Sequence, residues 1–189
     1  MASLERALLA CLEAHEGQFR KGSTATPYAT HPMQVALIVA RWDGSEEEIL
    51  AGLLHDVVED CPGWSHERVA AEFGPDVARI VREVSEDKSQ SWEERKRAAI
   101  RHAPELCPGA AAVKAADQVH NWRSLALELR DAADADALWA SFRGGRERTL
   151  AMAAELAHAL SPRLAPCAAR ELSEALAELL EAATRAPRI

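Results

Sequence analysis

The sequence predicts an all-α protein, and three observations predict it. Apolar residues recur at three- and four-residue spacings along nearly the whole chain. Paired start and stop signals, capping residues followed by Gly or Pro, come at helix-length intervals. Alternating apolar and polar runs, which strands require, do not recur. With 189 residues and 48% apolar content, the chain suits one domain with an appended helix.

The elements follow in order. Leu4, Leu8, Cys11, Leu12 and His15 mark a first amphipathic helix ending near Gly17, and a polar loop runs over 20–30. Thr30 is placed to cap the next helix, with His31 and Pro32 in its first turn, Val35, Ile38, Val39 and Trp42 on its buried face, and Asp43-Gly44 at its end. Ser45 with Glu48 forms a capping box that opens an acidic helix, which Cys61-Pro62-Gly63 closes. Ser65 and Phe73-Gly74 bracket a short helix, Pro75 opens another to about Val84, and Ser91 with Glu94 is a second capping box. After Pro108-Gly109 an alanine-rich helix runs to about Arg130. A loop over 131–136 precedes helices near 137–142, 146–160 and 168–183, separated by Gly144-Gly145 and Pro162.

Composition narrows the function classes. A net charge of −8 argues against general nucleic-acid binding, because an acidic surface repels phosphate chains. No apolar run approaches the ~20 residues of a membrane span, and the N-terminal residues lack the order of a signal peptide, so a cytoplasmic protein is expected. Cys11, Cys61, Cys107 and Cys167 are scattered without a Cys-x-x-Cys pair and read as reduced packing residues. Trp42, Trp64, Trp122 and Trp139 read as packing residues too.

The stretch Leu53-Leu54-His55-Asp56-Val57-Val58-Glu59-Asp60 carries the chemistry. As one helix, it places Leu54, Val57 and Val58 on an apolar stripe and pairs His55 with Glu59 and Asp56 with Asp60 at i, i+4. Carboxylates at a helix C-terminus cost a few tenths to ~1 kcal/mol each, and no Lys or Arg lies between Ser45 and Asp60. A cation is therefore expected from outside the stretch. A solvated acidic face is the plain alternative; the histidine and the apolar framing favour a divalent metal site.

A metal needs ligands from several elements. His31 stands at a helix start after a polar loop. Asp117 sits mid-helix in Ala115-Ala116-Asp117-Gln118-Val119-His120-Asn121-Trp122, with Asn121 one turn on, and a buried Asp there needs a partner. Two imidazole nitrogens and two carboxylates suit Mn²⁺, Fe²⁺ or Zn²⁺ better than Ca²⁺.

These residues, with Arg20-Lys21-Gly22, Thr26-Pro27-Tyr28-Ala29-Thr30-His31-Pro32, Phe73-Gly74, Asp87-Lys88-Ser89, Glu94-Arg95-Lys96-Arg97 and Lys114 to Arg123, make the chain resemble the HD phosphohydrolases. Within them it is similar to the RelA/SpoT hydrolase domain in its stand-alone form, the small alarmone hydrolases. The resemblance is strongest over 15–130. It implies an HD-domain helical bundle of about 8–10 helices over 1–160, with 161–189 as a C-terminal helix packed on the same domain or at a subunit contact.

The resemblance further implies removal of the 3′-pyrophosphate of guanosine tetra- or pentaphosphate, with one Mn²⁺ (Zn²⁺ or Fe²⁺ as substitutes) held by His31, His55, Asp56 and Asp117. Glu59 and Asp60 orient the water or carry its proton. Arg20 and Lys21 meet the base and a phosphate, Tyr28 packs beside the sugar or braces the loop, and Asn121 reaches the ribose or a phosphate oxygen. Lys88, with Arg95, Lys96 and Arg97, forms a basic patch that draws in a polyanion or pairs with Glu93 and Glu94. The partner is a small nucleotide, with no nucleic acid and no membrane, and homo-oligomerisation is compatible with the tail.

Trp92 stands where many stand-alone members carry a lysine, and Arg143, Arg146 and Arg148 are candidates for the family's residues at the far edge of the pocket. Two alternatives follow: an HD phosphohydrolase acting on NADPH 2′-phosphate or an adenosine alarmone, and a non-catalytic alarmone-sensing module.

Overall fold

The computed structural model describes residues 3–21 and 26–184. Gly22 of the Arg20-Lys21-Gly22 motif and residues 185–189 of the C-terminal segment lie outside the described residues. The all-α class holds: 77% of the described residues are helical, and among them the sole extended pairing is an isolated bridge between Phe19 and Pro27. In chain order the helices are α1 (Ser3–Ala14), α2 (Thr30–Arg41), α3 (Glu46–Leu54), α4 (Val57–Asp60), α5 (His66–Phe73), α6 (Pro75–Val84), α7 (Trp92–His102), α8 (Pro108–Asp131), α9 (Ala135–Ala140), α10 (Gly145–Leu160) and α11 (Pro166–Thr184). They form two compact units, Met1–Glu86 with Leu106–Asp117, and Asp87–Glu105 with Gln118–Ile189.

In the first unit, α3 is the central element, packed against α1, α2 and α6. Its Leu50, Ala51, Leu53 and Leu54 are buried with Val35 and Val39 of α2 and Val77, Ile80 and Val81 of α6. Each fully buried aliphatic side chain contributes about 1.5–3 kcal/mol. Gly52 sets the approach of α2 and α3: a Cβ there would meet the Ala36 Cα at 3.1 Å. That closeness lets residues flanking the contact, His31 and His55, share one site.

Two expectations are corrected. The acidic stretch is not one helix, because α3 ends at Leu54 and a separate turn, α4, begins at Val57. The His55 ring nitrogen Nδ1 bonds the Gly52 carbonyl at 2.9 Å, next to the acceptor positions a continuing helix would use for its ladder. Asp56 lies at φ −98°, ψ −10°, and the Asp60 N–H still bonds its carbonyl at 2.9 Å. Nor does Thr30 cap α2: Ala29 occupies the N-cap position without a side-chain bond, and the Thr30 hydroxyl donates to the Pro27 carbonyl at 2.8 Å. The Ser45–Glu48 and Ser91–Glu94 capping boxes form as read.

The loop before α2 is closed by two backbone bonds of 2.8 Å, from Arg20 N–H to the Thr26 carbonyl and from Tyr28 N–H to the Gln18 carbonyl. Of the cysteines, Cys11 and Cys61 are buried and Cys167 is exposed. Burial pushes the Cys61 thiol up to about 11, which suits packing rather than nucleophilic chemistry. Trp122 and Trp139 are buried.

In the second unit, α10 packs against α7 and α11. Arg123 of α8 ties down α11 through Glu171 at 2.5 Å and Glu178 at 3.3 Å. Trp92 is a packing residue here. A Cβ on Gly144 would lie 2.3 Å from its ring, so the indole needs the glycine.

Candidate metal centre

The first unit brings His31, His55, Asp56, Glu59 and Asp117 into one neighbourhood. His31 arrives from the first turn of α2 and is 2% exposed; His55 follows the end of α3; Asp117 projects from α8. One ligand atom each from His31, His55 and Asp117 lies within 4.8 Å of the other two. His31 Nε2 is 3.3 Å from Asp117 Oδ1 and 3.6 Å from Asp56 Oδ2. The two imidazoles meet edge to face with centroids 5.1 Å apart.

His55 is the sharpest test of whether a metal fits. Its Nδ1 is engaged by Gly52, while Nε2 is buried with no hydrogen-bond partner and has Asp56 Oδ2 3.1 Å away. A buried imidazole nitrogen left this way costs free energy in an apolar interior and is satisfied by a cation. Two imidazoles and carboxylate oxygens are a borderline donor set for Mn²⁺, Fe²⁺ or Zn²⁺.

Charges around the site reinforce one another. Burial opposes ionisation of Asp56, yet His55 and then His31 hold its carboxyl well below the usual carboxylate range. Asp117 behaves likewise, with burial overcome by the His31 hydrogen bond and by Lys114. His55 rises to about 9, because Asp56 outweighs burial. His31 moves down, burial dominating.

Lys114 is the functional candidate that sequence reasoning missed. Its ammonium lies 3.8 Å from both Asp117 Oδ2 and Glu86 Oε1, and all three side chains are 11% exposed. The outside cation that the acidic stretch calls for is thus partly supplied by the protein. The signal was available: Lys114 is the one charged residue in the run 110–116 and stands at i−3 from Asp117. Glu86 was missed as well, and its backbone N–H donates to Glu59 Oε1 at 2.8 Å.

The remaining candidates fall as follows. Tyr28 donates its hydroxyl to Asp56 Oδ2 at 2.7 Å. Arg20 is half-buried, its guanidinium 5.8 Å from the Tyr28 ring centre, and Lys21 is exposed. The Asp60 carbonyl accepts from Gln18 Nε2 at 3.1 Å. Lys88 and Asn121 belong to the second unit, Asn121 one turn beyond Asp117 on α8. Arg97 pairs with Glu93 at 3.0 Å, and Arg148 reaches Glu93 at 3.4 Å and the Gly144 carbonyl at 3.1 Å. Part of the basic patch is therefore used on internal pairs.

A protein family described as HD domain matches residues 7–149. The chain belongs to the HD domain family. Among curated relatives, the guanosine-3′,5′-bis(diphosphate) 3′-pyrophosphohydrolase of Xenopus tropicalis is 42% identical over 115 residues, 60% of this chain and 64% of that protein. The bifunctional (p)ppGpp synthase/hydrolase SpoT of Escherichia coli is 35% identical over 128 residues, 65% of this chain and 18% of that protein. The chain thus spans less than two thirds of the length of these relatives. The solved structure of a metazoan ortholog of SpoT, which hydrolyzes ppGpp, matches this HD domain protein with a TM-score of 0.81 at 30% identity, covering 94% of this chain and 96% of that one. No helix among the described residues is long and apolar enough to cross a membrane.

Proposed function

We propose that this HD domain protein hydrolyses the 3′-pyrophosphate of guanosine tetra- or pentaphosphate, releasing GDP or GTP and pyrophosphate, with one Mn²⁺ held by His31, His55, Asp56 and Asp117. The observation that carries the reading is His55 Nε2, buried without a hydrogen-bond partner beside the ligand atoms of His31 and Asp117. It stands in a chain 42% identical to a guanosine-3′,5′-bis(diphosphate) 3′-pyrophosphohydrolase.

When bound, the metal supplies a water of lowered pKa and polarises the phosphoryl oxygen it touches. The chain's own residues do the rest. Glu59, fixed at one oxygen by the Glu86 peptide, and Asp60 orient the attacking water and accept its proton as the oxygen bonds to phosphorus. The bond from phosphorus to the 3′-oxygen breaks, and a proton returns to that oxygen. Arg20 stacks on the purine, in the manner of its approach to the Tyr28 ring, and the exposed ammonium of Lys21 balances phosphate charge. A cytoplasmic location accords with a nucleotide substrate.

Product analysis of the purified protein with Mn²⁺ tests this, offering guanosine tetraphosphate beside NADPH and an adenosine alarmone. The expected result is GDP and pyrophosphate from the first, absent with Asp56→Ala. Turnover of another nucleotide alone would discard the substrate and keep the metal chemistry, and silence on all three would overturn the hydrolase.

A further inference from the structure

The phenol of Tyr28 donates to Asp56 Oδ2 at 2.7 Å, the same oxygen that lies 3.1 Å from His55 Nε2 and 3.6 Å from His31 Nε2. This carboxylate is 15% exposed and has fixed partners on its protein side. Its rotamer is set by a hydroxyl from a different element, the loop that precedes α2. The ring that carries the hydroxyl is itself held on two sides, by His15 at a centroid distance of 4.9 Å and by the edge of His31 at 5.8 Å. His15 is fixed in turn, since its Nδ1 bonds Gln18 Oε1 at 2.9 Å and Gln18 Nε2 donates to the Asp60 carbonyl. The result is a continuous brace from Asp60 through Gln18, His15 and Tyr28 to Asp56.

We infer that Tyr28 is a positioning residue for the metal, its hydroxyl holding Asp56 in the orientation that lets the carboxylate join His31, His55 and Asp117 as a ligand. The inference rests on the proposed metal site. It assigns the phenol to the metal side of the centre rather than to the sugar of the nucleotide. Outer partners of this kind fix the direction of a ligand's lone pairs, and their loss typically weakens metal binding 10- to 100-fold. The aromatic ring remains available to Arg20, whose guanidinium lies 5.8 Å from its centre, so one side chain serves the recognition loop with its face and the metal ligand with its edge.

Tyr28→Phe isolates the hydroxyl, because the ring and its contacts with His15 and His31 are kept. The full chain and the variant are stripped of metal and titrated with Mn²⁺, free ion being read by electron paramagnetic resonance, with thermal melting of both metal-free proteins alongside. The expected result is a Kd for Mn²⁺ raised about tenfold or more in Tyr28→Phe, with melting temperatures within a few degrees and the nucleotide KM at saturating Mn²⁺ unchanged. An unchanged Kd overturns the inference while leaving the metal site standing, as does an effect confined to the nucleotide KM, which would return Tyr28 to the sugar. Failure of the unsubstituted protein to bind Mn²⁺ overturns the metal site, and this inference with it.

Discussion

The Nδ1 of His55 bonds the carbonyl of Gly52 at 2.9 Å, and this contact turns Nε2 toward His31 and Asp56. The same glycine admits α2 at a distance where a Cβ would already press on the Ala36 Cα. Position 52 thus sets both the orientation of one candidate ligand and the spacing of its helix from the other.

Metal binding is expected to compete with a proton on His55. Burial opposes that proton, but Asp56 holds it to about pH 9 in the metal-free protein. A folded-state value raised above the ordinary ~6.5 contributes stability that is complete below pH ~6.5 and is lost as pH rises through about 9. Melting of the metal-free protein should therefore move to lower temperature across this window. The stabilisation by a fixed Mn²⁺ concentration should grow across it, because the ligand must be neutral. Melting curves with and without Mn²⁺ from pH 6 to 9 check this, and parallel curves would refute it.

Glu59→Gln and Asp117→Ala should separate rate from retention. One Glu59 oxygen accepts from the Glu86 peptide, and Glu59 is not among the proposed metal ligands, so its amide should keep metal and lose kcat by about 10²- to 10⁴-fold. Asp117→Ala should lose metal and turnover together. Metal content by atomic emission, measured beside kcat, distinguishes the two; a fully active Glu59→Gln would remove Glu59 from the proton path.

Lys114→Met should destabilise the metal-free protein by about 3 kcal/mol or more, since removing one partner of a buried ion pair strands the other. Here two carboxylates, Asp117 and Glu86, would lose the same ammonium. The deficit should shrink when Mn²⁺ is added, because the ion neutralises the same neighbourhood. Denaturant unfolding with and without Mn²⁺ reads both numbers, and a loss below ~1 kcal/mol would show that Lys114 carries little of the balance.

Gly144→Ala should cost about 1–3 kcal/mol, the usual penalty for forcing atoms into a filled contact. Its Cβ would collide with the Trp92 indole at 2.3 Å. The companion Gly144→Ala/Trp92→Leu should recover most of the loss. Melting of the single and double variants measures the coupling.

Helix order was legible because the capping boxes at Ser45 and Ser91, the stop at Gly74 and the start at Pro108 are local signals whose physics ends within a turn or two. The grouping of His31, His55 and Asp117 was legible for another reason, in that buried polar residues on apolar helices need partners and few were on offer. The break at His55-Asp56 was not. Its i, i+4 spacing continues the helix perfectly, and the interruption comes with the His55 ring turning to Gly52. Thr30 misled similarly: a good capping residue was placed one position too late and used its hydroxyl on Pro27 instead. Tyr28 could be assigned to the loop, but the reach of its hydroxyl to Asp56 depends on a register across the loop that no spacing rule contains.

Lys114 has a consequence for the order of events in the life of the protein. With Asp117 and Glu86 already sharing an ammonium, part of their mutual repulsion is balanced within the chain. In the metal site proposed above, loading would then follow folding, and the supply of divalent ions around the finished protein would choose the occupant.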